Sequence, residues 1–147
     1  MAADPTGEFG AADWAARYEE EHTPWDLGAP HPALAAELEK DLLGRRRCGH
    51  DARAFVPGCG RGHDALALAK AGWVVTAMDM VRDLGRELGP QLELHRSRFL
   101  AGDVLEYRAQ PPFELLFEHT CFCAIPRERR ADYGRMARRL VGFRGRL

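Results

Sequence analysis

Gly58, Gly60 and Gly62 stand at alternate positions, and their spacing is the first feature with chemical consequences. A glycine lets the chain turn sharply and lets the backbone approach a ligand with no Cβ in the way. The spacing is GxGxG, not the GxGxxG of dinucleotide sites, and by itself it also fits a ligand-free turn. Asp79 lies 21 residues beyond Gly58. An acidic side chain about 20 residues past such a loop can accept hydrogen bonds from both ribose hydroxyls, the plain alternative being a solvent-facing carboxylate. Asp103 offers a carboxylate to an exocyclic amine, and Val104 offers a backbone N–H to a ring nitrogen, as adenine requires. No GxxxxGK[ST] occurs, which argues against a triphosphate. An adenosine ligand bearing an amino-acid group suits this set, and S-adenosylmethionine is the expected cofactor. His119, Cys121 and Cys123 lie in a loop where a reactive centre would sit. The two cysteines lack an evident third ligand or partner base, so neither a metal nor a cysteine nucleophile is expected.

These residues need elements to hold them. The pattern predicts a helix over 8–21, with Trp14 and Tyr18 four apart on one face, and a Pro/Gly-punctuated loop over 23–30. A second helix is expected over 33–43, stopped at Gly44. From residue 52 the rhythm changes. Strands are predicted over 52–57, 73–78, 98–101 and 113–117, and helices over 63–71, 81–89 and 127–141, the second stopped by Gly89 and Pro90. Asp64 falls in the first turn of its helix, where it complements the dipole, so His63 and Asp64 read as a helix start and not as a catalytic dyad. Alternating strands and helices imply an α/β fold with a mostly parallel sheet. In such sheets ligands bind beyond the carboxyl ends of the strands, where the glycines, Asp79, Asp103 and His119 fall.

Composition limits the alternatives. The chain has 147 residues, 46% hydrophobic and 29% charged, with a formal net charge of −1, which suits one domain with a core. No apolar run approaches the roughly 20 residues of a bilayer span, so no membrane is expected. Residues 1–10 show neither a basic start nor an apolar stretch, which argues against a secretory signal. Four cysteines, at 48, 59, 121 and 123, form neither a disulfide framework nor a paired CxxC site, so a reduced, cytoplasmic chain is expected. Residues 126–147 hold eight arginines against Glu128 and Asp132. This basic end reads as a solvated helix face, and no nucleic-acid partner is expected.

The sequence resembles the thiopurine methyltransferase-like family, in particular its halide, thiocyanate and thiol methyltransferase branch. The resemblance rests on Thr23-Pro24-Trp25-Asp26-Leu27-Gly28, on Val56-Pro57-Gly58-Cys59-Gly60-Arg61-Gly62-His63-Asp64, on Gly102-Asp103-Val104, and on residues 113–126. It runs from about residue 14 to about residue 141. It implies a Rossmann-like class I fold, with an N-terminal helical cap over 8–45 and a core over 52–141 in a single domain. Trp14, Tyr18 and Trp25 match aromatic cap positions that close over the cofactor, although the residues alone would also suit a cluster pinning the first helix. Gly58 matches the loop contact, Asp79 the ribose contact, and Asp103 and Val104 the adenine contacts. His119 falls where relatives often carry Tyr, a substitution that keeps a hydrogen-bonding group, and is expected as a further cofactor contact. The implied reaction is methyl transfer from S-adenosylmethionine to a small thiol, thiocyanate or halide by in-line displacement. Such a reaction needs alignment and a dry pocket more than a strong base, so no catalytic residue is singled out.

Relatives continue past the last predicted helix with further strands. Four strands are expected here, with the last strands of the seven-stranded fold lacking. The strand over 113–117 would then be an exposed edge, which a homo-oligomer could cover. Two classes of function follow: a working methyltransferase, or a cofactor-binding remnant without turnover.

Overall fold

A computed structural model describes residues 10–40 and 51–147. Five parallel strands form one sheet, β1 (Arg53–Pro57), β2 (Val74–Asp79), β3 (Arg98–Ala101), β4 (Phe113–Leu116) and β5 (Val141–Arg146), in the order β3-β2-β1-β4-β5. The chain moves outward from β1 to β3 and then returns to place β4 on the other side of β1. The switch point therefore lies between β1 and β4, and both are followed by residues expected to do chemistry. Alternation along the strands divides the core. Ala54, Val56, Val75 and Ala77 pack with Leu68 and Trp73 on one face, whereas Phe55 and Met78 pack with Phe113, Met136 and Leu140 on the other. Helices on both faces complete the layers, α3 (His63–Lys70) and α4 (Gly85–Glu93) on one side and α6 (Arg130–Leu140) on the other.

Outside the sheet, α1 (Ala11–Glu19) and α2 (Pro32–Glu39) precede the core, and a short α5 (Cys121–Ala124) follows β4. Of the second predicted helix, residues 41–43 and the stop at Gly44 lie outside the described residues, as do residues 8 and 9 of the first. Two arginines of the C-terminal region, Arg130 and Arg139, are tied to the fold, while Arg127, Arg135, Arg138, Arg144 and Arg146 are exposed. Arg139 donates to the carbonyls of Leu105 (3.0 Å) and Tyr107 (2.9 Å), and Arg130 donates to that of Ile125 at 3.2 Å. Among the described residues no helix is long and apolar enough to cross a membrane.

Two expectations are corrected. The helix predicted to stop at Gly89 and Pro90 runs on to Glu93 with Pro90 inside it. Leu88 and Leu92 sit four apart on its buried face, and that burial outweighs the hydrogen bond a proline removes. The sheet also has five strands where four were expected. Residues 141–146 pair in parallel with β4, irregularly, with Phe113 opposite Val141 and Leu115 opposite Arg146. β4 is thus an interior strand, and an oligomer invoked to cover its edge loses its premise. With two glycines and two arginines in six residues, β5 carries no strand signature of its own. The unpaired backbone of β4 supplies the reason for it to pair.

Candidate functional site

The glycine loop is shaped from beneath and from beside. Gly58, directly after β1, has φ +57°, and a Cβ there would fall 2.7 Å from Sγ of Cys121. Gly62 caps α3 with φ +82°, and a Cβ there would run into both methyls of Leu88. Both positions therefore demand glycine, for backbone conformation and for space. The loop is fixed by Asp79, whose Oδ2 accepts the Gly60 N–H at 2.9 Å and whose Oδ1 accepts that of Val81 at 3.0 Å. Burial pushes the Asp79 carboxyl above the ordinary carboxylate value, and the backbone N–H groups act against that rise. A carboxylate has about four lone-pair sites, so Asp79 can still accept from a diol.

The aromatic residues before the core meet over the same space. Trp14 and Trp25 pack edge to face with ring centroids 5.5 Å apart, and Tyr18 and Trp25 do so at 6.1 Å. The Trp25 indole N–H donates to the Tyr18 hydroxyl at 3.4 Å. Burial pushes Tyr18 up to about 12, so it stays a neutral phenol. Arg61, from the glycine loop, lies over the Tyr18 ring at 5.4 Å.

All eight residues singled out in the sequence border one cavity of about 390 Å³: Trp14, Tyr18, Trp25, Gly58, Asp79, Asp103, Val104 and His119. It opens at the carboxyl ends of β1, β2, β3 and β4. Asp103 has structural work of its own there. Its Oδ1 accepts the Leu105 N–H at 2.9 Å and its Oδ2 pairs with Arg129 at 3.2 Å, so it is the cap of a short turn as well as a cavity wall. His63 and Asp64 begin α3 as expected, and Asp64 accepts the His31 N–H at 2.7 Å.

Three features escaped the sequence. Asp26 joins the first loop to the glycine loop, with Oδ2 3.0 Å from Arg61 Nε and Oδ1 3.1 Å from His63 Nε2. Arg129 closes on Asp103 from the start of the last helical region. Cys121 underlies Gly58. Each joins segments far apart in the chain, so no local spacing marks them; the only cue was that Asp26 sits in the Thr23–Gly28 motif. Burial pushes the Cys59 and Cys121 thiols up, which keeps them protonated and poor nucleophiles. Among the described residues, no group of three or more His, Cys, Asp or Glu is placed to hold a metal ion.

Comparison with known proteins agrees with this architecture. The chain is 30% identical over 138 residues to thiocyanate methyltransferase 1 of Arabidopsis thaliana, covering 91% of this chain and 58% of that protein. It is 31% identical over 122 residues to probable thiol methyltransferase 2 of Arabidopsis thaliana, covering 80% of this chain and 51% of the relative. The chain thus spans little more than half the length of these curated relatives. Among solved structures, it superposes on the Burkholderia thailandensis 1,6-didemethyltoxoflavin-N1-methyltransferase with bound 1,6-didemethyltoxoflavin and S-adenosylhomocysteine. The TM-score is 0.70 at 22% identity, over 89% of this chain and 56% of that one. A TehB-like SAM-dependent methyltransferase from Corynebacterium glutamicum matches with a TM-score of 0.63 at 18% identity, over 92% and 68% of the two chains. These likenesses identify the fold as that of class I methyltransferases. The family model described as thiopurine S-methyltransferase matches residues 9–147, nearly the whole chain, which therefore belongs to the thiopurine S-methyltransferase family.

Proposed function

We propose that this chain is the cofactor-binding part of an S-adenosylmethionine-dependent methyltransferase acting on a small thiol, thiocyanate or halide. The observation that carries this reading is the convergence of the eight residues on one cavity at the switch point of the sheet. The residues fit the cofactor. Bare backbone at Gly58 lets the loop turn against Cys121 at the cavity wall, Asp79 retains acceptor capacity for two ribose hydroxyls, and Asp103 with Val104 lies one strand further out, where the reading puts adenine. Trp14, Tyr18 and Trp25 provide π faces for a positive sulfonium and keep water from it. In this reading the described residues 10–40 form a cap over the core of 52–141, and the names of the Arabidopsis relatives favour sulfur nucleophiles.

When bound, S-adenosylmethionine supplies a methyl group already activated on sulfur. The chain's part is to hold the adenosine through Asp79, Asp103 and Val104. It must also shield the reacting atoms under the aromatic cap and line up the nucleophile from the loop after β4.

Calorimetric titration with S-adenosylmethionine tests the reading. Wild type binds, and Asp79→Ala binds about 10- to 100-fold more weakly, the loss expected for one charged acceptor. A folded wild-type chain that does not bind overturns it. Rates with a small thiol, thiocyanate and iodide then separate a working enzyme from a binding module without turnover.

A further inference from the structure

Thiols differ from iodide and thiocyanate in carrying a proton. A free thiol has a pKa near 8.5, and its thiolate is the nucleophile, whereas the two inorganic anions arrive ionised. A site for thiols gains from a proton acceptor beside the nucleophile.

Most titratable groups around the cavity are already engaged or unsuited. Asp26 is paired with Arg61 and His63, Asp103 with Arg129, and Asp79 with two backbone N–H groups. Asp64 holds the His31 N–H. Burial keeps Cys59, Cys121 and Tyr18 protonated. His119 differs. It stands on the loop after β4, borders the cavity, and its ring meets another imidazole, that of His31, with centroids 4.6 Å apart and planes tilted by 59°.

His31 is held firmly in turn. It is the N-cap of α2, and its Nδ1 accepts the Ala33 N–H at 3.2 Å while its own N–H reaches Asp64. An Nδ1 that accepts places the ring proton on Nε2, so His31 serves as a fixed wall and not as the proton carrier.

We propose that His119 is the proton acceptor for a thiol substrate and that His31 is the positioning residue that sets its ring. This rests on the methyltransferase reading and narrows it to a neutral thiol. The thiol's proton passes to a ring nitrogen of His119, and the sulfur's electron pair forms the new bond to the methyl carbon. The methyl–sulfonium bond breaks with its pair left on the departing thioether.

The experiment compares initial rates with a small thiol and with iodide, at saturating S-adenosylmethionine, in wild type, His119→Gln, His31→Ala and His31→Phe. General-base loss lowers the thiol rate about 100-fold or more relative to the iodide rate in His119→Gln. The same ratio falls less in His31→Ala and is restored in His31→Phe, which keeps a planar wall. A second readout needs no turnover: binding the thiol to the chain loaded with S-adenosylhomocysteine produces the thiolate ultraviolet band in wild type and not in His119→Gln. Thiol and iodide rates that fall together, or a band that persists in the variant, overturn the role of His119 and leave the methyltransferase reading standing. A wild-type chain that methylates iodide alone does the same. Wild type that binds S-adenosylmethionine but methylates neither overturns the role of His119 and leaves a cofactor-binding module, whereas a folded wild type that does not bind overturns both.

Discussion

Oδ2 of Asp79, at the end of β2, accepts the backbone N–H of Gly60 at 2.9 Å. The carboxylate expected to meet a ribose thus also shapes the loop expected to meet the rest of the ligand. The backbone reinforces the link, since the Cys59 N–H donates to the Met78 carbonyl at 3.1 Å and the Gly102 N–H to the Asp79 carbonyl at 2.9 Å. Three strand ends are held in one register before any ligand arrives, which lowers the ordering cost of binding.

Asp79 makes stability depend on pH. Burial raises its folded-state value above the ordinary 3.8, so between those two values the folded chain holds more protons than the unfolded one. Stability from this group therefore falls as pH rises through that window. Urea denaturation of wild type and Asp79→Asn across mildly acidic to neutral pH is expected to show the wild-type advantage shrinking as pH rises; a growing advantage contradicts the assignment.

Gly62→Ala is expected to destabilise the chain by about 1–3 kcal/mol, from a left-handed backbone without glycine and a collision with buried Leu88. The effect is read as a lower urea midpoint. Shortening the obstacle in Gly62→Ala/Leu88→Ala removes the collision and leaves the backbone cost, so the second change costs less in the variant background than in wild type.

Trp25→Ala separates binding from folding. No residue of α1 is buried, and Trp25 meets Trp14 and Tyr18 above the cavity, not in the core. Affinity for S-adenosylmethionine is expected to fall by the worth of one desolvated cation–π contact, about 1–2 kcal/mol, while the melting temperature changes little. Calorimetry and a thermal scan on the same sample check both halves.

A chain ended after Leu140 is expected to aggregate. Removing β5 exposes the backbone of β4 along the irregular pairing from Phe113 to Leu115, and with it the apolar residues around Leu140. Static light scattering of the shortened and full chains at equal concentration measures this, and equal scattering argues that β5 contributes no protection.

What the sequence determined by itself was local. Strand ends, the glycine spacing, the Asp79 interval and the start of α3 are written in short-range periodicity and in residue types with strong backbone preferences. The positions of Gly58, Asp79, Asp103, Val104 and His119 followed, because a parallel sheet delivers every strand end to one side, whereas Trp14, Tyr18 and Trp25 reach the cavity from segments that precede the sheet. Tertiary structure decided the rest. Pro90 stays inside a helix because Leu88 and Leu92 are buried, and residues 141–146 become a strand because β4 has an edge to satisfy. The joining of Asp26 to Arg61 and His63, the seat of Cys121 beneath Gly58, and the pairing of His31 with His119 link segments tens of residues apart. No pattern along the chain encodes such contacts, which exist only after the sheet and cap have brought their backbones together.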